Sequence, residues 1–281
     1  MNLNYINWNP DPEIISIFGF SLRYYGILFV GGLVLCIYIL GWIFKREKIP
    51  SENLEKLSIY GMIGILAGAR LGHCLFYEPS YYLSHPLEMI LPITFPPDGG
   101  IEFTGYQGLA SHGGVAGLLI AIYFYSRKTK HSMIDTFDLI AVVSGLSFGF
   151  IRLGNFMNSE IIGIPTILPW GVIFERIDNV PRHPAQLYEA ISYFIIFAIM
   201  MILYKKMRDR LKNGFFFGLA TVLFVTARFL IEFIKEDQVG FEDGMALNMG
   251  QLLSLPYIVV GIGFIIYGLM KTRKLLNADT Q

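Results

Sequence analysis

Cysteine is almost missing from this chain. Its 281 residues include only Cys36 and Cys74, both inside apolar runs, which excludes a disulfide framework and argues against a cysteine-based metal site. Net charge is missing too: 22 basic residues balance 22 acidic ones, so nothing draws the chain toward nucleic acid or a generally acidic partner. Common hydrolase signatures are lacking. There is no HExxH and the five histidines are dispersed, which argues against a zinc site. Ser111 and Ser144 have no G-x-S-x-G setting, Asp138 has no partner carboxylate for an aspartyl protease, and no Walker-type glycine loop occurs. Internal repeats and low-complexity segments are absent. The N-terminal stretch MNLNYINWNPDPE places no basic run before the first apolar segment, so a cleaved signal peptide is not expected.

Charge of either sign is also scarce. Only 16% of residues are charged while 54% are hydrophobic, with 23 Phe, 16 Tyr and a mean hydropathy of +0.52. A soluble domain carries charge on about a quarter of its residues, so this chain needs a solvent other than water. A bilayer-crossing helix takes about 20 mostly apolar residues. Seven candidates fit: roughly 20–44, 57–77, 108–126, 134–157, 185–204, 214–234 and 251–270. Basic clusters punctuate their ends: Lys45, Arg46 and Lys48; Arg127, Lys128 and Lys130; Lys205, Lys206, Arg208, Arg210 and Lys212; Lys271, Arg273 and Lys274. Seven spans put all of these clusters and Lys56 on one side. That side is cytoplasmic by the positive-inside rule, with the N-terminus outside and the C-terminus inside. The fold class expected is an all-α integral membrane protein, a single polytopic domain over residues 1–281. Its outer loops, 78–107 and 161–184, are rich in Pro and Gly and read as a small external cap.

The remaining basic residues are Arg23, Arg70, Arg152, Arg176, Arg182, Arg228 and Lys235. Arg70, Arg152 and Arg228 fall in the outer halves of their spans, and Arg23 at the outer mouth of the first. One arginine there can snorkel to the headgroups. Four at the same depth favour an externally open, arginine-lined cavity that binds an anion. In FGFIRLGNFMNSEIIG, residues 148–163, a helix puts Arg152, Asn155 and Ser159 on one face, with Asn158 and Glu160 following. A guanidinium fork beside amides suits a phosphate; the alternative is an interhelical hydrogen-bond cluster. GARLGHCLFYE, residues 68–78, aligns Arg70, His73 and Tyr77, and its Gly68 and Gly72 have small-xxx-small spacing for helix packing. ARFLIEFIKE, residues 227–236, carries Arg228, Glu232 and Lys235; an Arg228–Glu232 pair is expected, structural or functional. ASHGGVAG, residues 110–117, sets His112 at a span mouth before Gly113 and Gly114. His112 is either a satisfied structural residue or a general base.

RLGNFMNSE, SHGG, RHPAQLYEA and MGQLLSLP occur in one order that resembles the phosphatidylglycerol–prolipoprotein diacylglyceryl transferases of bacteria. With GARLGHCLFYE and ARFLIEF the resemblance spans nearly the whole chain. It implies a seven-span enzyme of the inner membrane with its site open to the outer leaflet and periplasm. The enzyme moves diacylglyceryl from phosphatidylglycerol to the lipobox cysteine of a prolipoprotein, forms a thioether and releases glycerol phosphate. The resemblance marks His112, Arg152, Arg228, Glu160 and Glu232 as catalytic candidates. For phosphatidylglycerol binding the resemblance adds Arg152, Asn155 and Tyr25, and the candidates beside them are Arg70, Gly113, Asn158, His183 and Lys235. No cofactor, metal or nucleic acid is called for; the partners are the lipid bilayer, phosphatidylglycerol and lipobox-containing precursors. Two departures stand out: Phe224 replaces a tyrosine often found there, and Lys235 replaces an arginine, keeping charge but losing a bidentate fork. A thiol nucleophile arriving on the substrate explains why the chain needs no catalytic Cys or Ser of its own. The rivals are a transporter for an anionic solute, which would normally show repeats and broken helices, and a structural scaffold of the envelope.

Overall fold

The computed structural model describes residues 5–17, 20–96, 99–103, 108–211, 214–236 and 247–278. Lys212, parts of the expected loop 78–107, and the side chains of Arg273 and Lys274 lie outside the described residues. In chain order the elements are strands β1 (Ile6–Trp8), β2 (Glu13–Ile17) and β3 (Phe20–Arg23), then helices α1 (Tyr24–Arg46), α2 (Ser51–Phe76), α3 (Pro79–Tyr82) and α4 (Pro86–Ile90). Next come strands β4 (Ile93–Thr94) and β5 (Glu102–Phe103), helices α5 (Ser111–Thr129) and α6 (Met133–Met157), and strands β6 (Val172–Phe174) and β7 (Pro181–Arg182). Helices α7 (Ala185–Met207), α8 (Phe215–Glu232) and α9 (Met249–Ala278) complete the order.

Helices α1, α2, α6, α7, α8 and α9 are long and apolar enough to cross a bilayer. The remaining expected span, 108–126, is helical as α5, but its ends are polar, with Ser111 and His112 at one and Arg127 and Lys128 at the other. Its 19 residues extend about 28 Å, close to the hydrocarbon thickness of about 30 Å. The first span starts later than its apolar run, because residues up to Arg23 form the β2–β3 hairpin with Glu13 opposite Arg23. Lys45 and Arg46 close α1, and Lys205 and Lys206 close α7, where cations complement the helix dipole.

Backbone contacts divide the chain into two compact units, residues 1–43 with 137–281, and residues 44–136. In the first, β1 pairs parallel to β6 and β7 antiparallel to β6. Beneath this sheet Phe156, Ile162, Val172 and Phe174 form a buried cluster with Trp8 and Leu187 against it. The Trp8 indole N–H donates to the Phe156 carbonyl at 3.0 Å, which ties β1 to the end of α6.

Asp138 on α6 has a specific task in this unit. It is 1% exposed, and its two oxygens accept from the Gly214 and Phe217 N–H groups, both at 2.8 Å, with Arg208 at 3.5 Å. The first turn of α8 thus borrows its cap from another helix, since Gly214 (φ 104) has no side chain to offer. Asp138→Ala strands the two buried N–H donors of the first turn of α8, so thermal unfolding in detergent is expected to show a loss of about 3 kcal/mol; an unchanged melt would contradict this capping role.

In the second unit α2 and α5 pack through glycine. A Cβ on Gly68 would lie 2.3 Å from the Gly113 carbonyl oxygen, and one on Gly117 would lie 2.0 Å from that of Gly64. Only backbones without side chains approach so closely. The described part of 78–107 holds α3, α4 and the β4–β5 hairpin, and 161–184 holds β6 and β7.

Candidate functional site

The end of α6 is built around a left-handed residue that is not glycine. Ser159 has φ 56, its N–H bonds to the Phe156 carbonyl, and the Glu160 N–H bonds to that of Asn155. This is a Schellman-type ending with serine where glycine is usual. Ile161 follows at φ 57, a position that a β-branched residue seldom adopts. Two strained residues therefore flank Glu160 and aim it. Downstream pairing holds them in place: Ile164 N–H bonds to Ile234 O and Glu236 N–H to Ile162 O, at 3.0 and 3.2 Å. Gly163 lies in this crossing, where a Cβ would meet the His183 carbonyl at 2.6 Å.

Around this turn α6, α7 and the end of α8 bring four charges into one chain. The Arg152 Nε lies 2.7 Å from Glu189 Oε2, the Lys235 Nζ donates to Glu189 Oε1 at 2.9 Å, and the same Nζ donates to Glu232 Oε2 at 3.0 Å. Glu189 is 0% exposed and Lys235 6%. Two cations and two carboxylates alternate, so the cluster is neutral as a whole, the condition under which buried charge is tolerated. Amides extend it on both sides. Arg152 donates to Asn155 Oδ1 at 3.1 Å, while the Asn155 and Asn158 amides both donate to the Glu160 carboxylate at 3.0 Å. Gln186 donates to the Glu160 carbonyl, and Asn248 donates to Glu232 at 3.4 Å. Tyr25 lies flat against Gly154, where a Cβ would be 2.8 Å from its ring.

Arg228 differs. The expected pair with Glu232 is not formed; Glu232 ends α8, and the turn that follows carries Lys235 back to it through Lys235 N–H to Glu232 O at 3.2 Å. Arg228 is exposed and has no hydrogen bond or ion pair among the described residues. His183 lies in its own chain, in which the Trp170 indole N–H donates to the Tyr188 hydroxyl and that hydroxyl lies 3.1 Å from His183 Nδ1. Burial pushes the His183 imidazole down from its ordinary value, which favours its neutral form.

The second unit holds the other sequence candidates. Arg70 is buried: its guanidinium donates to the Glu88 and Met89 carbonyls at 2.5 and 3.3 Å and lies over the Tyr82 ring at 4.7 Å. His73 pairs with Glu78 at 3.3 Å. Gly113 packs against Gly68 and Gly72. His112 is exposed in the first turn of α5, with no partner among the described residues.

The prolipoprotein diacylglyceryl transferase family matches the chain over residues 12–267. The chain is 54% identical to a phosphatidylglycerol–prolipoprotein diacylglyceryl transferase of Bacteroides fragilis over 270 residues, covering 96% of this chain and 98% of the relative. It is 42% identical to the enzyme so named in Chloroherpeton thalassium, covering 92% of each chain, and 44% identical to that of Tolumonas auensis, covering 91% and 94%. The chain belongs to this family. It is a multi-pass membrane protein, and its relatives carry the transferase name rather than that of a transporter.

Glu189 and Tyr193 of this family member escaped the sequence reading. Glu189 was visible as the acid inside RHPAQLYEA, at the start of an apolar span. An acid at that depth calls for a cation, and Arg152 and Lys235, both read there as lipid ligands, are the cations that meet it.

Glu88 shows how the family member secures the loop after α2. Its carboxylate accepts from the Phe95 N–H at 3.0 Å and the Tyr81 hydroxyl at 2.8 Å. The Phe95 N–H holds the carboxyl below its ordinary value of 4.5. A depressed folded value means that the contribution is full above the unfolded pKa and is lost as pH falls through the folded one. Limited proteolysis between residues 78 and 96 is therefore expected to speed up as pH falls below about 4.5, and Glu88→Gln is expected to cleave fast at neutral pH. Cleavage independent of both pH and this substitution would refute that role.

Proposed function

We propose that this chain transfers the diacylglyceryl group of phosphatidylglycerol to the lipobox cysteine of prolipoproteins. The observation that carries the reading is the near-full-length similarity to relatives named for this reaction. The site chemistry supports it. The thiol sulfur attacks the glyceryl carbon bonded to the phosphate oxygen. The carbon–sulfur bond forms, the carbon–oxygen bond breaks with its electron pair on oxygen, and glycerol phosphate leaves. The leaving phosphate gains negative charge in the transition state, where a fixed cation stabilises more than it does in the ground state. Arg228 has no carboxylate of its own among the described residues, so it is assigned to that phosphate. Arg152, held to Glu189 through its Nε and to Asn155 through its Nη1, is assigned to fix the cluster beside that phosphate. Glu160, steadied by two amides, orients the headgroup.

The incoming thiol has a reference pKa of about 8.5, so a proton acceptor speeds its attack at neutral pH. His112 is assigned that proton, and its imidazole is unclaimed among the described residues. Arg70, Gly113 and His183 are assigned to holding loops and helices, given their partners. The chain lies in the inner membrane with its N-terminus outside. Cysteine tags near Asn4 and Asn277 are expected to label from opposite sides, and labelling from one side overturns the topology. The function is tested by incubating purified protein with labelled phosphatidylglycerol and a lipobox peptide. The expected result is a peptide mass gain of one diacylglyceryl group with stoichiometric glycerol phosphate, and no gain overturns the reading.

A further inference from the structure

Three aromatic rings meet beside the charge cluster. Tyr193 on α7 stands edge-on to Phe224 on α8, centroids 5.5 Å apart at 81°. Phe148 on α6 packs against both, at 6.1 Å from Tyr193 and 5.2 Å from Phe224. Only Tyr193 among them has a polar atom. Its hydroxyl donates to Glu189 Oε1 at 3.4 Å, interacts with Arg152, and lies within electrostatic reach of Arg228. The residue is 6% exposed, a setting in which a hydrogen bond counts for more than it does in water. The ring also has little freedom to move away. A Cβ on Gly145 of α6 would lie 2.6 Å from the Tyr193 carbonyl oxygen, so α6 and α7 are pressed together at this level.

We propose that Tyr193 is a positioning residue for the transfer, its hydroxyl holding the Glu189 carboxylate and, through it, setting the orientation of Arg152. The proposal rests on the function assigned above. Position 224 is where the sequence resemblance leads one to expect a phenol; here α7 supplies it, from a ring in contact with Phe224. A packing role alone would require the ring and not the oxygen. The hydroxyl donates to a buried carboxylate that also holds Arg152, which phenylalanine cannot do. It places no new charge in the cluster, so removing it leaves the ion pairs intact and alters only their geometry.

Tyr193→Phe deletes one oxygen and keeps the packing. With phosphatidylglycerol vesicles and a lipobox peptide, kcat is expected to fall about ten- to a hundredfold, the scale of a lost hydrogen bond to charged groups. KM for the lipid is expected to stay within about twofold and the melting temperature near that of the unsubstituted chain. Returning the oxygen from the touching ring, as Tyr193→Phe with Phe224→Tyr, is expected to recover most of the lost kcat. A kcat within about twofold of the unsubstituted chain for Tyr193→Phe overturns the proposal. So does a fall matched by an equal loss of folded protein, or a double variant that is folded yet no better than the single one. The unsubstituted chain in the same assay separates the two questions: if it transfers nothing, the assigned function fails, whereas Tyr193 is judged only on ratios to an active enzyme.

Discussion

Arg228→Ala is expected to lower diacylglyceryl transfer by a hundredfold or more while leaving the melting temperature unchanged. The reason is the contrast between two arginines on neighbouring helices. Arg152 is matched by Glu189 at 2.7 Å, and the cluster it belongs to is already neutral. Arg228 has no counter-charge among the described residues, so an anion that meets it competes with no carboxylate among them. Losing a charge-assisted contact to phosphate costs a few kcal/mol, or about two or more powers of ten in rate. Because Arg228 is exposed and pairs with no carboxylate among the described residues, its removal leaves no buried ion there, which is why stability is expected to hold. Arg228→Lys should recover only part of the activity, since an ammonium keeps the charge and loses the fork. Steady-state rates with labelled phosphatidylglycerol decide this; near-normal turnover of Arg228→Ala would remove the phosphate ligand from the mechanism.

Glu189→Ala is expected to have the largest effect on stability. Its carboxylate is fully buried and serves two cations, Arg152 and Lys235. Removing it turns an alternating row into two cations sharing one remaining acid, Glu232. Breaking a buried pair in this way costs about 3–5 kcal/mol, because the uncompensated charge remains in a medium that solvates it poorly. The sign of the charge imbalance can be tested directly. Glu189→Ala combined with Lys235→Met restores neutrality between Arg152 and Glu232, so the double variant is expected to unfold at a higher temperature than Glu189→Ala alone. A double variant that melts lower than either single change would mean that geometry, not charge balance, governs the cluster.

The membrane architecture was legible in the amino-acid order because it depends on quantities that are local along the chain. Apolar run length sets whether a helix can span, and basic clusters such as Lys45, Arg46 and Lys48 mark where runs end. Helices α1, α2, α6, α7, α8 and α9 cover those apolar runs. The misses had local causes of another kind. The apolar residues from Phe20 onward were merged into the first span although they pair as β3, and alternation over four residues is too short to be told from a helix start. Arg152, Asn155, Asn158 and Glu160 were read as one group, and they are, because they share one helix end.

Which charge pairs with which was not written in the sequence. Glu232 and Arg228 are one turn apart and looked like partners, yet Lys235 reaches Glu232 once the chain turns after α8, and strand pairing at 162–164 holds that turn. Glu189 lies 37 positions from Arg152 and 46 from Lys235, separations at which no spacing rule operates. Burial decided the outcome: a carboxylate at 0% exposure must find cations wherever the fold puts them. The sequence by itself determined the solvent, the spans and the chemistry available. Only the tertiary structure decided that Glu232 pairs with Lys235 and Glu189 with Arg152, since pairing in a low-dielectric interior depends on distances between helices, which helix periodicity does not contain.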